Sequence, residues 1–175
     1  MKLRSLLLVF VLCCSNIHFC FSQEFNYRLL SLYVYNFGKH IEWPLSHKEG
    51  SFVIGVYGDT PLYQEIVKTT TQKSKGLQPI VVKKIESMDM LKECHIVFVS
   101  KKESAKFKLI METVRTEPIL IVTEQTGYAR RGSCINIFLD EDDDNKTKYE
   151  INKTVVEGKG LKVSSDLLSL GVVVK

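Results

Sequence analysis

The stretch FVIGVYGDTP, Phe52 to Pro61, decides the fold. Its first six residues are apolar without alternation, and Gly58 and Asp59 then break the run. A short, unbroken apolar run reads as a strand buried on both faces. Pro61 sits where a helix can open, with Asp59 or Thr60 as its cap, so a helix is expected to about Thr71. Strand followed at once by helix is half of a crossover unit, and the pattern repeats downstream. PIVVKKI (Pro79 to Ile85), CHIVFV (Cys94 to Val99) and PILIV (Pro118 to Val122) read as three more strands. A short helix from Ser87 to Glu93, capped by Ser87, and another from Ala105 to Val114 separate them. Four strands alternating with helices imply right-handed crossovers and a parallel sheet. The expected fold class is α/β: a mostly parallel sheet with helices on both faces, Rossmann-like but without a dinucleotide motif.

Outward from this core the pattern changes. Ser133 to Leu139 and Lys148 to Asn152 read as an antiparallel hairpin across the acidic turn Asp140 to Lys146. A helix beginning near Lys153 should break at Gly158 or Gly160. A last helical piece from Ser164 or Ser165 is expected to carry Leu167, Leu168 and Leu170 to the end. Upstream, Phe25 to Ile41 forms a helix in which Leu29, Tyr33 and Phe37 share one face and Leu30, Val34 and Ile41 another. So wide an apolar surface is either buried on most sides or packed against a second subunit.

That helix ends in YNFGKHIEWP, Tyr35 to Pro44, where Lys39, His40, Glu42 and the only tryptophan, Trp43, crowd together. Lys39 and Glu42 are spaced to pair across one turn, and His40 points away from them. Pro44 biases Trp43 toward extended backbone and ends the helix. Trp43 should then pack this exit against the sheet. Tyr33, Phe37 and Trp43 are the candidate partner-binding residues.

The N-terminus reads as a secretory leader: Lys2 and Arg4, an apolar run Ser5 to Cys14, then Cys20-Phe21-Ser22 before the expected cut. Of 175 residues the first 22 would leave, giving a single domain over residues 23–175. An uncleaved anchor is the alternative, or a lipoprotein processed at Cys14, although Val11, Leu12 and Cys13 fit a lipidation signal poorly. The formal charge of +4 falls to +2 without Lys2 and Arg4, since all 20 acidic residues lie downstream. Near neutrality with no basic stripe argues against a nucleic-acid partner. Three of the five cysteines also leave, and Cys94 and Cys134 remain either as one disulfide or as two buried thiols.

No dinucleotide, phosphate-loop or nucleophile-elbow motif is present. His40, His47 and His95 have no ligand spacing, and His95 lies inside an apolar strand. The acidic turn lacks the glycine and the terminal glutamate of a calcium loop. No metal, cofactor or catalytic set is therefore expected. What remains is the crevice beyond the carboxyl ends of the strands, where open α/β sheets take ligands. Its candidate lining is Asp59, Ser100, Glu124, Tyr128 and Arg130.

Five segments carry a resemblance: YNFGKHIEWP, FVIGVYGDTP, ECHIVFVS, PILIVTEQTGYARRGSCINIF and YEIN…GLKVSSDLLSLGVVV. In this order they resemble the YfiR family, also called HmsC-like, of small periplasmic proteins in Gram-negative bacteria. The resemblance implies helices around a mostly parallel sheet and frequent dimers. For its best-known members it implies a regulatory role. They hold an inner-membrane diguanylate cyclase inactive from the periplasmic side until redox state or an outer-membrane lipoprotein relieves the inhibition. Redox-sensitive relatives carry two disulfides. Here Cys94 matches a family cysteine, Cys134 stands where many relatives have methionine, and the bridging partners of either are absent. The implied function is a non-enzymatic periplasmic regulator that binds a membrane diguanylate cyclase or sensor kinase. The alternative is a periplasmic sensor of a small molecule in the strand-end crevice.

Overall fold

A computed structural model describes residues 25–175. The expected leader lies outside the described residues. Helix α1 (Tyr27–His40) opens at Asn26, whose side chain accepts from the Leu29 N–H at 3.1 Å. Leu30, Val34 and Phe37 form its buried stripe. Gly38 lets it lie close to the sheet, because a Cβ there would already touch the Phe52 ring at 3.4 Å and Ile96 at 3.5 Å. The helix stops at Ile41, which turns extended into a two-residue strand β1 (Ile41–Glu42). Glu42 is therefore outside the helix, and it pairs in register with Lys162 instead of reaching Lys39.

After a 3-10 turn at Leu45–His47, strand β2 (Phe52–Tyr57) runs buried over its whole length. Helix α2 (Leu62–Thr70) follows, and the Thr60 hydroxyl accepts from the Leu62 N–H at 3.3 Å. Asp59 is exposed and caps nothing. Next come β3 (Ser74–Lys75) and β4 (Gln78–Ile85). The expected cap at Ser87 is also not made: a 3-10 turn, Asp89–Glu93, starts after Met88 without a side-chain bond. Strand β5 (Ile96–Val99) leads through a 3-10 segment (Lys101–Lys106) into α3 (Phe107–Thr113), and β6 (Leu120–Thr123) follows.

Strands β7 (Ile135–Asp140) and β8 (Lys146–Asn152) form the expected antiparallel hairpin. Two of the acidic residues in its turn are paired internally: Lys148 reaches Asp140 at 2.7 Å and Asp143 at 2.9 Å, and Lys146 reaches Asp143 at 2.6 Å. Helix α4 (Lys153–Gly158) is capped by Asn152. The chain then forms β9 (Lys162–Val163), α5 (Ser165–Leu170) and β10 (Val172–Val174). The last strand corrects the expectation of a helix to the end. Valine is stiff in a helix and favours extended backbone. Gly171 permits the turn into β10, since a Cβ there would meet the Tyr149 ring at 2.3 Å.

The main sheet is ordered β10-β8-β7-β6-β5-β2-β4-β3. Only the β7–β8 and β3–β4 pairs in it are antiparallel. The crossover from β2 goes to β4 on one side, and that from β5 goes to β6 on the other. Crossovers of one hand moving in opposite directions place α2 and α3 on opposite faces. Helix α1 packs on the α2 face and also meets α5. On the other face α4 lies beside α3, joined by the buried Lys159, which donates to the Val114 carbonyl at the end of α3 at 2.5 Å.

Candidate functional site

The winding reverses between β2 and β5, so the crevice expected to hold a ligand lies beyond Tyr57 and Val99. Gly58 stands there with φ +100°, a conformation that suits glycine. A Cβ at this position would lie 2.6 Å from Glu103 Cγ and 2.9 Å from Ser100 Oγ. The segment after β5 therefore rests directly on the mouth of the crevice. Glu103 pairs with Lys106 at 3.0 Å, and the Lys106 ammonium sits 5.4 Å from the centre of the Tyr57 ring. The chain fills its own switch point.

Three of the five residues expected to line this crevice hold the plug in place. Ser100 is buried, and its hydroxyl accepts from the Lys102 N–H at 3.2 Å. Glu124 is buried at the end of β6, where its Oε1 accepts from the Lys101 N–H at 3.0 Å. Burial pushes the Glu124 carboxyl above the usual carboxylate range, and the Lys101 N–H with the charges of Lys101 and Lys102 opposes this only in part. Its Oε2 is buried without a hydrogen-bond partner. Tyr128 packs edge-on against Phe107 at 4.5 Å and donates to the Ser104 carbonyl at 3.4 Å. Asp59 and Arg130 are exposed and take no part in the latch.

A polar cluster beneath this plug escaped the sequence reading. The Thr123 hydroxyl donates to Asn136 Oδ1 at 2.8 Å, and the Ser133 hydroxyl donates to the Ile135 carbonyl at 2.8 Å. Asn136 also accepts from the Gln125 N–H at 3.1 Å and donates to Glu150 at 3.3 Å. Thr123, Ser133 and Asn136 are all buried. These bonds tie the end of β6 to β7 and satisfy polar groups that would otherwise be costly to bury. The only sequence signal was the polar pair flanking Cys134 and Ile135.

Of the three aromatic residues proposed for partner binding, two are buried and one is partly exposed. Phe37 is fully buried, Trp43 is 4% exposed, and Tyr33 is half-buried with its hydroxyl donating to the Thr147 carbonyl at 3.1 Å. Tyr33, Phe37 and Tyr149 form one aromatic cluster. Trp43 stands edge-on to Phe52 at 4.9 Å, as expected for a residue sealing the helix exit. Beside it the Lys75 ammonium donates to the Gly38 and Ile41 carbonyls, holding the end of α1 where positive charge is favoured. His95 is a satisfied core residue: its Nδ1 accepts from the Val53 N–H at 3.1 Å and its Nε2 donates to the His47 carbonyl at 2.9 Å. Burial lowers its pKa, which favours this neutral tautomer.

Cys94 and Cys134 are free, buried thiols, and the bridge left open by the sequence does not form. Strand β6 separates them, and Cys134 lies level with Val97, three residues along from Cys94. At normal sheet spacings they stand about 14 Å apart, beyond the reach of a disulfide. Burial raises the Cys94 thiol to about 12 and the Cys134 thiol to about 11.

Among the described residues no cluster of three or more metal-ligating side chains occurs, and no helix is long and apolar enough to cross a membrane. Fold and site together define an open α/β domain whose ligand crevice is closed by its own chain. The protein belongs to the YfiR/HmsC-like family, whose model matches residues 27–172. This is a family of periplasmic regulators. Among curated proteins none matches the sequence. Two solved structures are similar in fold. A conserved domain protein from Vibrio cholerae O1 biovar El Tor shares 11% identity at a TM-score of 0.60, over 83% of this chain and 60% of that one. The ABC domain in complex with L-Trp from Streptococcus pneumoniae shares 12% identity at 0.51, over 70% of this chain and 56% of that one. The chain thus spans less than two thirds of either structure's length.

Proposed function

We propose that this protein is a non-enzymatic regulator that, after removal of its leader, works in the periplasm by binding the extracytoplasmic part of a membrane diguanylate cyclase or sensor kinase. The observation that carries this reading is the open edge of the sheet at β10. Val172 is 48% exposed, Val173 50% and the preceding Leu170 79%, and the strand carries no charge. Proteins that stay monomeric guard such edges with charges, prolines or covering loops. An uncharged edge of branched side chains suits a partner that covers it or adds a strand. The closed crevice and the family's regulatory character support the same reading.

The partner surface therefore moves from Tyr33, Phe37 and Trp43 to β10. Helix α1 offers a second patch in Leu29 and Leu32, 37% and 42% exposed, which suits a homodimer contact. Light scattering at high concentration reads the dimer directly, and a Leu29→Glu/Leu32→Glu variant should be monomeric. Solubilised membranes passed over Val172→Asp/Val173→Asp protein should lose a signalling protein that the wild type retains. Equal retention by both would overturn the assignment to β10.

The sensor alternative draws on one observation, that a similarly folded domain is described in complex with L-Trp. In this chain Glu103 and Ser100 pack against Gly58 at the switch point between β2 and β5. A small ligand would need another place to bind.

A further inference from the structure

That place is a groove on the opposite flank of α3. Helices α3 and α4 both line a cavity of about 500 Å³, open to solvent and floored by Phe107, Met111 and Val155. The volume falls within the range of small-molecule sites, roughly 300–1,000 Å³. Gly132, with φ +108°, brings the backbone after Tyr128 against the floor, and a Cβ there would lie 3.8 Å from the Met111 methyl carbon.

The charge around this apolar floor is one-sided. Four cationic side chains, Lys108, Arg115, Arg131 and Lys159, line it against a single carboxylate, Glu112. Glu112 is already approached by Lys108, at 4.0 Å. Lys159 is buried and spends its ammonium on the Val114 carbonyl. Burial lowers the pKa of Lys159, so it fixes the groove's end rather than offering a free charge. The two guanidiniums are different. Arg131 lies over the Tyr128 ring at 4.5 Å, and among the described residues neither it nor Arg115 has a carboxylate partner. Guanidinium is suited to two-point recognition of a carboxylate.

We infer that this groove binds a small apolar monocarboxylate, with its apolar body over Met111 and Phe107 and its carboxylate between Arg115 and Arg131. The site is separate from the β10 edge, so it stands or falls independently of the regulator reading. It also explains why a methionine occupies the floor, since its flexible thioether adapts to differing apolar bodies. Phe107 in the floor packs against Tyr128, which anchors the plug over the switch point.

The test uses full-length processed protein labelled with 13C at its methionine methyls and titrated with decanoate, with decanol as the uncharged control. The Met111 methyl should shift saturably with decanoate while Met88 and Met90 stay still, and decanol should bind at least tenfold more weakly. Arg115→Gln and Arg131→Gln should each weaken decanoate binding about tenfold, the loss expected for one charge-assisted contact. Met111→Trp, which fills the groove, should abolish binding. Arg115 is exposed, so its variant tests the inference even if the tryptophan variant fails to fold. No Met111 shift at millimolar decanoate overturns the site. Equal binding of decanol, or binding unchanged in Arg115→Gln, overturns the role of the arginines.

Discussion

Replacing Trp43 separates a structural role from a recognition role. Trp43 is 4% exposed, edge-on to Phe52 at 4.9 Å, 6.0 Å from the His95 ring and beneath the Lys75 ammonium at 5.0 Å. Truncating a buried aromatic of this size to alanine costs about 3–5 kcal/mol in lost burial and cavity. The Lys75 contact, of order 0.5–1 kcal/mol, lies within that figure and not on top of it. Domain stabilities run to about 5–15 kcal/mol, so Trp43→Ala should remain folded with much of its margin gone. Trp43→Phe gives the comparison. The indole Nε1 is buried without a hydrogen-bond partner, so replacing it with phenylalanine removes an unsatisfied donor while keeping much of the ring. That relief offsets part of the lost volume, and the cost should be about 1–2 kcal/mol. Urea unfolding followed by far-ultraviolet circular dichroism measures both, because the only tryptophan is lost in each variant. A Trp43→Ala protein within 1 kcal/mol of wild type that no longer bound its partner would refute the reasoning.

Gly55→Ala should destabilise by about 1–3 kcal/mol, because its Cβ would meet Cys94 Sγ at 2.7 Å and Ile85 Cδ1 at 2.9 Å; Ile85→Val should recover part of the loss in thermal melts. His95 has a lowered pKa in the fold, so the unfolded chain binds the extra proton first. Stability should be full above the unfolded value near 6.5 and fall on acidification below it, by at most about 1.4 kcal/mol per pH unit. A wild-type profile that stays flat from pH 7.5 to 5.5 would contradict the buried neutral imidazole. Cys94 and Cys134 should resist a thiol reagent at pH 8 in native protein and react together on unfolding, and reductant should leave the melting temperature unchanged. Glu124 carries a raised pKa, so its charge weighs against the fold as pH rises through the carboxylate range. Glu124→Gln should therefore gain about 1 kcal/mol over wild type at pH 7 and less at pH 4, read by urea midpoints.

The sheet was legible because buried parallel strands are written as unbroken apolar runs. FVIGVY, CHIVFV and PILIV each lie within a few residues of a strand in the structure. What failed were decisions that depend on a third dimension. Of the two caps the sequence offered for α2, the turn at Gly58 leaves Asp59 in solvent and Thr60 makes the bond, a choice the sequence did not settle. Val172 to Val174 look like the tail of a helix until β8 presents an edge for them to pair with. Trp43 was read correctly as a seal, because a proline beside a large aromatic at a helix exit has few other uses. Phe37 was offered as a partner residue, yet it is buried, because a helix apolar on most sides does not say which side meets the sheet.

The candidate site shows the same division. Ser100, Glu124 and Tyr128 were chosen as ligand groups from their positions after strands, and they do converge. What they converge on is the chain's own 3-10 segment, whose Glu103 and Lys106 carry no motif. The arginine-rimmed groove is equally silent in sequence, since Arg115 and Arg131 are 16 residues apart and line one groove only because the end of α3 and the loop before β7 share a face.

The most direct measurement is site-specific photocrosslinking from Val173 in intact cells, with Phe37 as the buried control, followed by identification of the crosslinked product. The account predicts a membrane signalling protein with an extracytoplasmic domain, crosslinked from Val173 and not from Phe37. Recovery of no membrane protein from Val173, or the same products from both positions, would contradict it.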